Sequence, residues 1–129
     1  MWRDGACERT IKAHDNTIWA MAALPGGARF VSGSDRTAKL WALDGALKRT
    51  YALEGIVRCA TVLPDGVHFV VGLVNGDVKL YHVDGTLVHT FKGHTREVMG
   101  IAVTPDGQHI ISGAADKTVK VWSLSLIHI

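Results

Sequence analysis

Apolar and polar positions alternate along this chain in short runs, and the same order of runs returns about every 40 residues. Each unit opens with an apolar run that ends at a proline-centred turn, and a second apolar run follows the turn. Proline presets one dihedral angle of such a turn and glycine supplies a positive φ, so the chain is expected to reverse there. The pattern predicts first strands over residues 18–24, 57–63 and 98–103, and second strands over 30–33, 69–72 and 110–113.

The second half of each unit carries two further strand signals. A tight turn around Asp35, Asn75 or Asp116 is followed by β-branched and aromatic residues, which favour strands. Asp-Gly pairs at 44–45 and 84–85 then predict hairpins. Third strands are expected over 37–43, 78–83 and 118–123, and fourth strands over 47–51 and 87–91. No segment has a sustained helical period, so the sequence predicts an all-β fold of four-stranded antiparallel blades, as in a β-propeller.

An aromatic residue closes the third strand of every unit, and these residues fix the period. Trp41, Tyr81 and Trp122 stand 40 and 41 residues apart, each at the end of a related phrase that starts at a glycine. Such a repeat means one supersecondary unit copied in tandem, where every copy buries its apolar face by stacking on the next. Because propellers close with about 4–8 blades, the chain is expected to hold an incomplete arc of about three blades.

Several matched features at this fixed period carry a family resemblance. The chain resembles WD40-repeat proteins over residues 1–123, most closely in the third unit, where Gly93 and His94 precede the first strand. Trp2 stands 39 residues before Trp41, which extends the period backwards. The resemblance implies four segments: the tail of a truncated preceding blade (1–12), a blade (13–52), a degenerate blade with Glu54, Val71, Asn75 and Tyr81 at the family's polar positions (53–92), and a blade lacking its fourth strand (93–123).

The last six residues break the repeat. Where another Asp-Gly turn and a fourth strand would follow Ser123, the chain reads Leu-Ser-Leu-Ile-His-Ile. This hexapeptide resembles the translated end of an adapter used in sequencing libraries, so residues 124–129 are expected to be a non-native tail on a fragment of a longer chain. An unusual apolar C-terminus of native origin is the alternative.

The resemblance also implies a structural hydrogen-bond network. In the family, a His before the first strand, a Ser or Thr in the second, an Asp in the tight turn and the third-strand Trp form it. An imidazole oriented by a carboxylate then bonds a hydroxyl, which bonds the indole N–H, and every polar group is satisfied. The corresponding residues are His14, Ser32, Asp35 and Trp41 in the first unit and His94, Ser112, Asp116 and Trp122 in the third.

The same residue types make up a hydrolase triad, which is the competing interpretation. A triad needs an exposed nucleophile and an oxyanion hole, and the sequence has no G-x-S-x-G motif. Recurrence in two units favours scaffolding, because a catalytic site is needed once. We therefore expect no enzyme activity, no catalytic residue, no metal and no cofactor. The remaining histidines lack metal-ligand spacing and are expected to be half-exposed: His68, His82, His89, His109 and His128.

Function is expected on the rim of the blades. In WD40 propellers, the face that bears the turn between the second and third strands commonly binds partner peptides. Trp19, Arg58 and Met99 on this face belong to types enriched at binding hot spots, and packing of Trp19 and Met99 between blades is the alternative. The resemblance implies partner-binding positions at Thr17, Trp19, Ile56, Arg58, Glu97 and Met99 beside the first strands, and at Ser34, Val74 and Ala115 before the tight-turn residue.

Composition narrows the class of partner. The 129 residues are 47% hydrophobic and 20% charged, with a net charge of +2, which is typical of a globular protein. Lys and Arg are spread rather than clustered, so nucleic acid is not an expected partner, and no apolar run is long enough for a membrane span. Two cysteines without metal or redox spacing favour a reducing compartment, the cytoplasm or the nucleus.

We expect a protein–protein interaction scaffold whose loop surfaces bind other proteins or peptides during complex assembly. The remaining blades of the parent propeller are expected to be partners as well. The alternative is a substrate-recruiting propeller region of a larger multidomain enzyme or regulator.

Overall fold

The computed structural model describes residues 7, 9–53, 55–125 and 127. Within these residues the chain forms eleven strands and no helix, which confirms the predicted all-β fold. Most strand ends lie within one residue of the predicted ends. The largest difference is in β1, which begins at Ala20 and not at the predicted residue 18. The strands are β1 (Ala20–Ala23), β2 (Arg29–Ser34), β3 (Thr37–Ala42), β4 (Leu47–Ala52), β5 (Val57–Val62), β6 (His68–Leu73), β7 (Val78–His82), β8 (Leu87–Phe91), β9 (Val98–Val103), β10 (His109–Ala114) and β11 (Val119–Ser123).

The strands form three antiparallel sheets, one for each unit of the repeat. Blade 1 has the order β1-β2-β3-β4, blade 2 has β5-β6-β7-β8, and blade 3 has β9-β10-β11. The proline-centred turns join the first two strands of each blade. Gly66 and Gly107 in these turns have φ of 79° and 72°, the left-handed region that glycine enters without steric cost, which confirms the predicted reversals.

The core lies between the blades, and β5 packs against β1 on one side and β9 on the other. Alternate residues of β6 point to opposite faces. Phe69 and Val71 therefore join the cluster shared with blade 1, and Val70 joins the cluster shared with blade 3. All three side chains are fully buried, which is worth about 1.5–3 kcal/mol for each large apolar side chain. Blade 2 is thus stabilised by stacking on both faces.

Some expectations fall on residues outside the described ones. Trp2 and most of the segment 1–12, Glu54, and residues 126, 128 and 129 belong to this group. Leu124 is described, and its backbone N–H donates to the Gln108 carbonyl at 2.8 Å. In blade 2, Val83 follows the third strand in the same way, and its N–H donates to the Val67 carbonyl at 2.9 Å. Leu124 is 4% exposed, so the first residue of the expected tail packs as part of blade 3.

His68 departs from the expectation of a half-exposed side chain. It is buried, with its Nδ1 atom 2.6 Å from Asp65 Oδ2 and its ring 5.0 Å from that of His82 in an edge-on arrangement. Burial alone would raise the pKa of Asp65, but hydrogen bonds from the Val67 N–H and from His68 lower it below its ordinary value. The prediction was wrong because the Asp65 carboxylate and the ring of His82 on the paired strand cover the imidazole.

Candidate functional site

Blade 3 contains a continuous series of side-chain hydrogen bonds that passes through its second strand. Trp122 Nε1–H donates to Ser112 Oγ at 2.8 Å. The same oxygen lies 2.7 Å from His94 Nε2, and His94 Nδ1 lies 3.0 Å from Asp116 Oδ2. With the proton of His94 assigned to Nδ1, each donor in this chain has an acceptor. The structure therefore brings together the four residues named for the third unit.

Asp116 is fixed by more than the imidazole. Its carboxylate also accepts the Thr118 hydroxyl at 2.6 Å and the Thr95 N–H at 3.0 Å. The Thr118 hydroxyl, the Thr95 N–H and the His94 ring hold the pKa of Asp116 well below its ordinary value. The carboxylate therefore stays charged and orients the ring towards Ser112.

The same chain of atoms has the order of a hydrolase triad, and burial decides what it can do. Ser112 is fully buried and the His94 side chain is closed to solvent. A nucleophile must reach a substrate carbonyl beside an oxyanion hole, whereas the Ser112 oxygen is enclosed and accepts the Trp122 N–H. The geometry fits a structural cross-link between strands.

Blade 1 contains a shorter version of this chain. Trp41 Nε1–H donates to Ser32 Oγ at 2.9 Å, and Ser32 Oγ lies 2.8 Å from His14 Nε2. Burial, and then the positive charge of Lys39, lower the pKa of His14. Among the described residues, no hydrogen bond joins the Asp35 side chain to His14, so Asp35 does not take the place that Asp116 has in blade 3.

A one-residue difference between the two turns explains the separate position of Asp35. The phrase from Gly33 to Trp41 is one residue shorter than the phrase from Gly113 to Trp122. In blade 1 the strands pair up to Ser34 and Thr37, which leaves a two-residue turn. In blade 3 the longer turn includes Lys117 at a φ of 72°. With the shorter turn, Asp35 is exposed, and among the described residues its carboxylate makes no hydrogen bond to His14.

Blade 2 replaces the polar chain with an aromatic cluster. The ring of Tyr81 stacks on Phe69, with centroids 5.4 Å apart and an angle of 14° between the planes, and Tyr51 of blade 1 packs against Phe69 with centroids 4.9 Å apart. The Tyr51 hydroxyl donates to the Val83 carbonyl at 2.6 Å. Val71, at the position of Ser32 and Ser112, is fully buried in this cluster.

A surface pocket of about 440 Å³ lies where the first strands of the three blades meet. We call it the inner-strand pocket. Blade 1 supplies one wall, blade 2 supplies the centre, and Glu97, which precedes β9, supplies the other side. The lining residues are Asn16, Thr17, Trp19, Asp35, Ile56, Arg58, Val74 and Glu97.

Trp19 and Arg58 form the central contact of the inner-strand pocket. The Arg58 guanidinium carbon lies 4.7 Å from the centre of the Trp19 ring system, a cation–π contact worth about 0.5–1 kcal/mol at an exposed site. The Trp19 N–H donates to the Gly33 carbonyl at 3.0 Å, which fixes its backbone to β2. Trp19 is nevertheless 48% exposed, so it contacts the neighbouring blade and still offers apolar surface.

The inner-strand pocket brings together six of the nine residues named as partner-binding positions, and leaves out Ser34, Met99 and Ala115. Ser34 is 2% exposed and its hydroxyl donates to the Thr17 carbonyl at 2.7 Å, so its side chain faces inward. Met99 is 46% exposed but lies outside the pocket. The Ala115 N–H donates to the Glu97 carbonyl at 2.9 Å, which fixes the backbone beside the pocket.

Asn16 and Asp35 line the pocket without having been named as partner-binding residues. Asn16 stands directly before Thr17, and this position next to a predicted partner-binding residue is the sequence feature that could have identified it. Asp35 was assigned to the network because it stands at the same distance from Trp41 as Asp116 does from Trp122. The turn that contains Asp35 is one residue shorter than the turn that contains Asp116, and this difference in length indicates that the two aspartates have different roles.

Other kinds of site find no support in the described part of the chain. No group of three or more His, Cys, Asp or Glu side chains there is arranged to hold a metal ion. No helix with the length and apolar character needed to cross a membrane occurs there either.

Comparisons with known proteins agree with this architecture. Residues 5–42 and 85–123 match the WD domain, G-beta repeat family. The chain is 31% identical to Pre-mRNA-processing factor 17 of Saccharomyces cerevisiae, 27% to Autophagy-related protein 16 of Arabidopsis thaliana and 28% to Nuclear distribution protein PAC1 of Coccidioides posadasii, over 94%, 92% and 94% of its own length. It spans 28%, 24% and 31% of those relatives. The chain belongs to the WD domain, G-beta repeat family, also called WD40.

Proposed function

We propose that this chain is a non-enzymatic interaction module whose inner-strand pocket binds a segment of a partner protein during the assembly of a larger complex. Membership of the WD40 family supports a protein-interaction scaffold in general terms. The names of the three relatives refer to pre-mRNA processing, autophagy and nuclear distribution. Such different processes favour a shared mode of binding with a different partner in each protein.

The observation that carries the proposal is the inner-strand pocket itself. Its volume of about 440 Å³ falls within the range of about 300–1,000 Å³ that is usual for binding pockets. Three blades contribute to its lining, and backbone hydrogen bonds at Trp19, at Val74 and Ile56, and at Glu97 hold the loops that flank the strands. Little conformational entropy is therefore lost when a partner binds, which favours affinity.

Trp19 is the residue expected to carry most of the binding energy. Its ring is half-exposed and Arg58 already holds it in place. Tryptophan at the centre of an interface is a frequent hot spot, and its truncation commonly costs about 2 kcal/mol or more. The free thiols of Cys7 and Cys59 favour action in a reducing compartment, the cytoplasm or the nucleus.

Selection of random peptides on the immobilised chain tests this proposal. Selected peptides are synthesised, and their dissociation constants are measured with the wild-type chain, Trp19→Ala and Leu87→Ala. Leu87 is a matched control because it is 45% exposed, close to the 48% of Trp19, and lies on the outer strand β8. We expect Trp19→Ala to weaken binding by about tenfold or more, and Leu87→Ala to leave it unchanged.

Two results would contradict the proposal. One is a set of selected peptides that bind Trp19→Ala as tightly as the wild type. The other is a set whose binding depends on Leu87 instead, which would move the partner surface to the outer strands.

A further inference from the structure

We infer that the partner segment presents an arginine or lysine side chain to the inner-strand pocket. This inference rests on the proposed function and specifies the chemistry of the partner. It follows from three features of the described lining residues: two carboxylates without ion-pair partners among the described residues, one cation that is engaged with a ring, and an apolar wall.

The two carboxylates come from different blades. Asp35 lies in the turn between β2 and β3, and Glu97 lies just before β9. Within the described residues, neither side chain takes part in an ion pair, and ion pairs elsewhere join other residues. Both carboxylates line the same pocket, so their acceptor oxygens remain available to a ligand.

Arg58 is the one cation among the described residues that line the pocket. Its guanidinium lies over the Trp19 ring rather than against a carboxylate. The described residues that line the pocket therefore carry two negative charges and one positive charge. A cationic group that enters it is attracted by both carboxylates, whereas an anionic group meets repulsion from both.

The apolar part of the pocket suits the rest of a basic side chain. Trp19, Ile56 and Val74 line it, and Val74 is 38% exposed. Arginine and lysine have apolar stems that pack along such surfaces while the charged head reaches polar groups. A stem on this wall and a head between Asp35 and Glu97 match both halves of the pocket.

Four short peptides test the inference directly. They share the sequence acetyl-Gly-Ala-Xaa-Ala-Gly-amide, with Arg, Lys, Gln or Glu as the central residue. Binding to the 129-residue chain is followed through the Trp19 indole resonance in two-dimensional nitrogen–proton NMR spectra. We expect the Arg or Lys peptide to bind about fivefold or more tightly than the Gln peptide and the Glu peptide to bind most weakly. The ranking of Arg against Lys identifies which head group fits.

Variants of the carboxylates provide the second readout. Asp35→Asn and Glu97→Gln should each weaken the Arg or Lys peptide by about two- to fivefold, as expected for exposed charge pairs. Asp44→Asn is the matched control, because Asp44 is an exposed turn aspartate outside the pocket. The asparagine oxygen can keep the hydrogen bond that Asp44 accepts from the Ala46 N–H. Far-UV circular dichroism verifies that each variant is folded.

The outcomes separate this inference from the proposed function. A Glu peptide that binds best, or Arg and Lys peptides that bind Asp35→Asn and Glu97→Gln unchanged, overturns the inference. If the peptides from random selection still depend on Trp19 in that case, the proposed function stands with a partner of different charge. If neither the four peptides nor the selected ones affect Trp19, both fail.

Discussion

Replacement of Ser112 by alanine removes one oxygen atom from the interior of blade 3 and leaves two polar groups without their partner. The Ser112 side chain is fully buried. Its hydroxyl oxygen accepts the Trp122 indole N–H at 2.8 Å and lies 2.7 Å from His94 Nε2. Alanine fits the same space, so the change tests hydrogen bonding with little effect on packing.

The expected loss follows from the burial of the two groups. A buried polar group left unsatisfied costs about 1–3 kcal/mol. The His94 side chain is fully buried and stays fixed by Asp116, so its cost should lie in the upper part of that range. Trp122 is partly exposed, and water can reach it more readily. The free energy of unfolding should therefore fall by about 2–4 kcal/mol.

Urea unfolding followed by far-UV circular dichroism measures this loss. Ser123→Ala is the control, because Ser123 is exposed and, among the described residues, its hydroxyl forms hydrogen bonds with Ser125 alone. The control should change the free energy of unfolding by about 0.5 kcal/mol or less. A loss in Ser112→Ala that is no larger than this would refute the account of blade 3 as a buried, fully satisfied network.

Three further changes have definite expected outcomes. Burial and the charge of Lys39 lower the pKa of His14 from its ordinary value of 6.5. The neutral His14 side chain therefore stabilises the fold above pH 6.5, and this stabilisation is lost as the pH falls below that value. On acidification, the urea midpoint should fall less in His14→Gln than in the wild type. Gly76→Ala should lower the free energy of unfolding by about 2 kcal/mol or more, because φ is +96° and a Cβ would lie 2.5 Å from the His94 carbonyl oxygen. Calorimetry should show a much smaller change for Gly100→Ala, since a Cβ at Gly100 would meet open space. Arg58→Gln should shift the Trp19 indole resonance and change the free energy of unfolding by about 1 kcal/mol or less.

The fold was predictable because its signals are local. A turn such as Pro64-Asp65-Gly66 contains the residues that its backbone angles require, and alternation within a strand needs no knowledge of distant neighbours. The position of a side chain between blades is not local. The sequence predicts a half-exposed His68, since it does not show that the Asp65 carboxylate and the His82 ring contact the imidazole.

The site was predictable where strand geometry alone decides it. Trp19 and Arg58 sit at equivalent positions near the starts of β1 and β5, so their blades bring them together. The position of Asp35 depends on the length of its turn. Asp35 matches Asp116 in type and in distance from the third-strand tryptophan, yet one missing residue removes it from the network and leaves it in the pocket. Ser34 is buried and its hydroxyl donates to the Thr17 carbonyl, a contact that no local sequence signal shows.

The position of a bound peptide on the chain shows whether the inner-strand pocket is the partner-binding site. A peptide obtained by random selection is added to the isotope-labelled chain, and shifts of the backbone amide resonances are mapped residue by residue. We expect the largest shifts on residues 16–19, on Ile56 and Arg58, and on Val74. Largest shifts at the opposite ends of the sheets, around residues 64–67 and 84–86, would contradict this expectation.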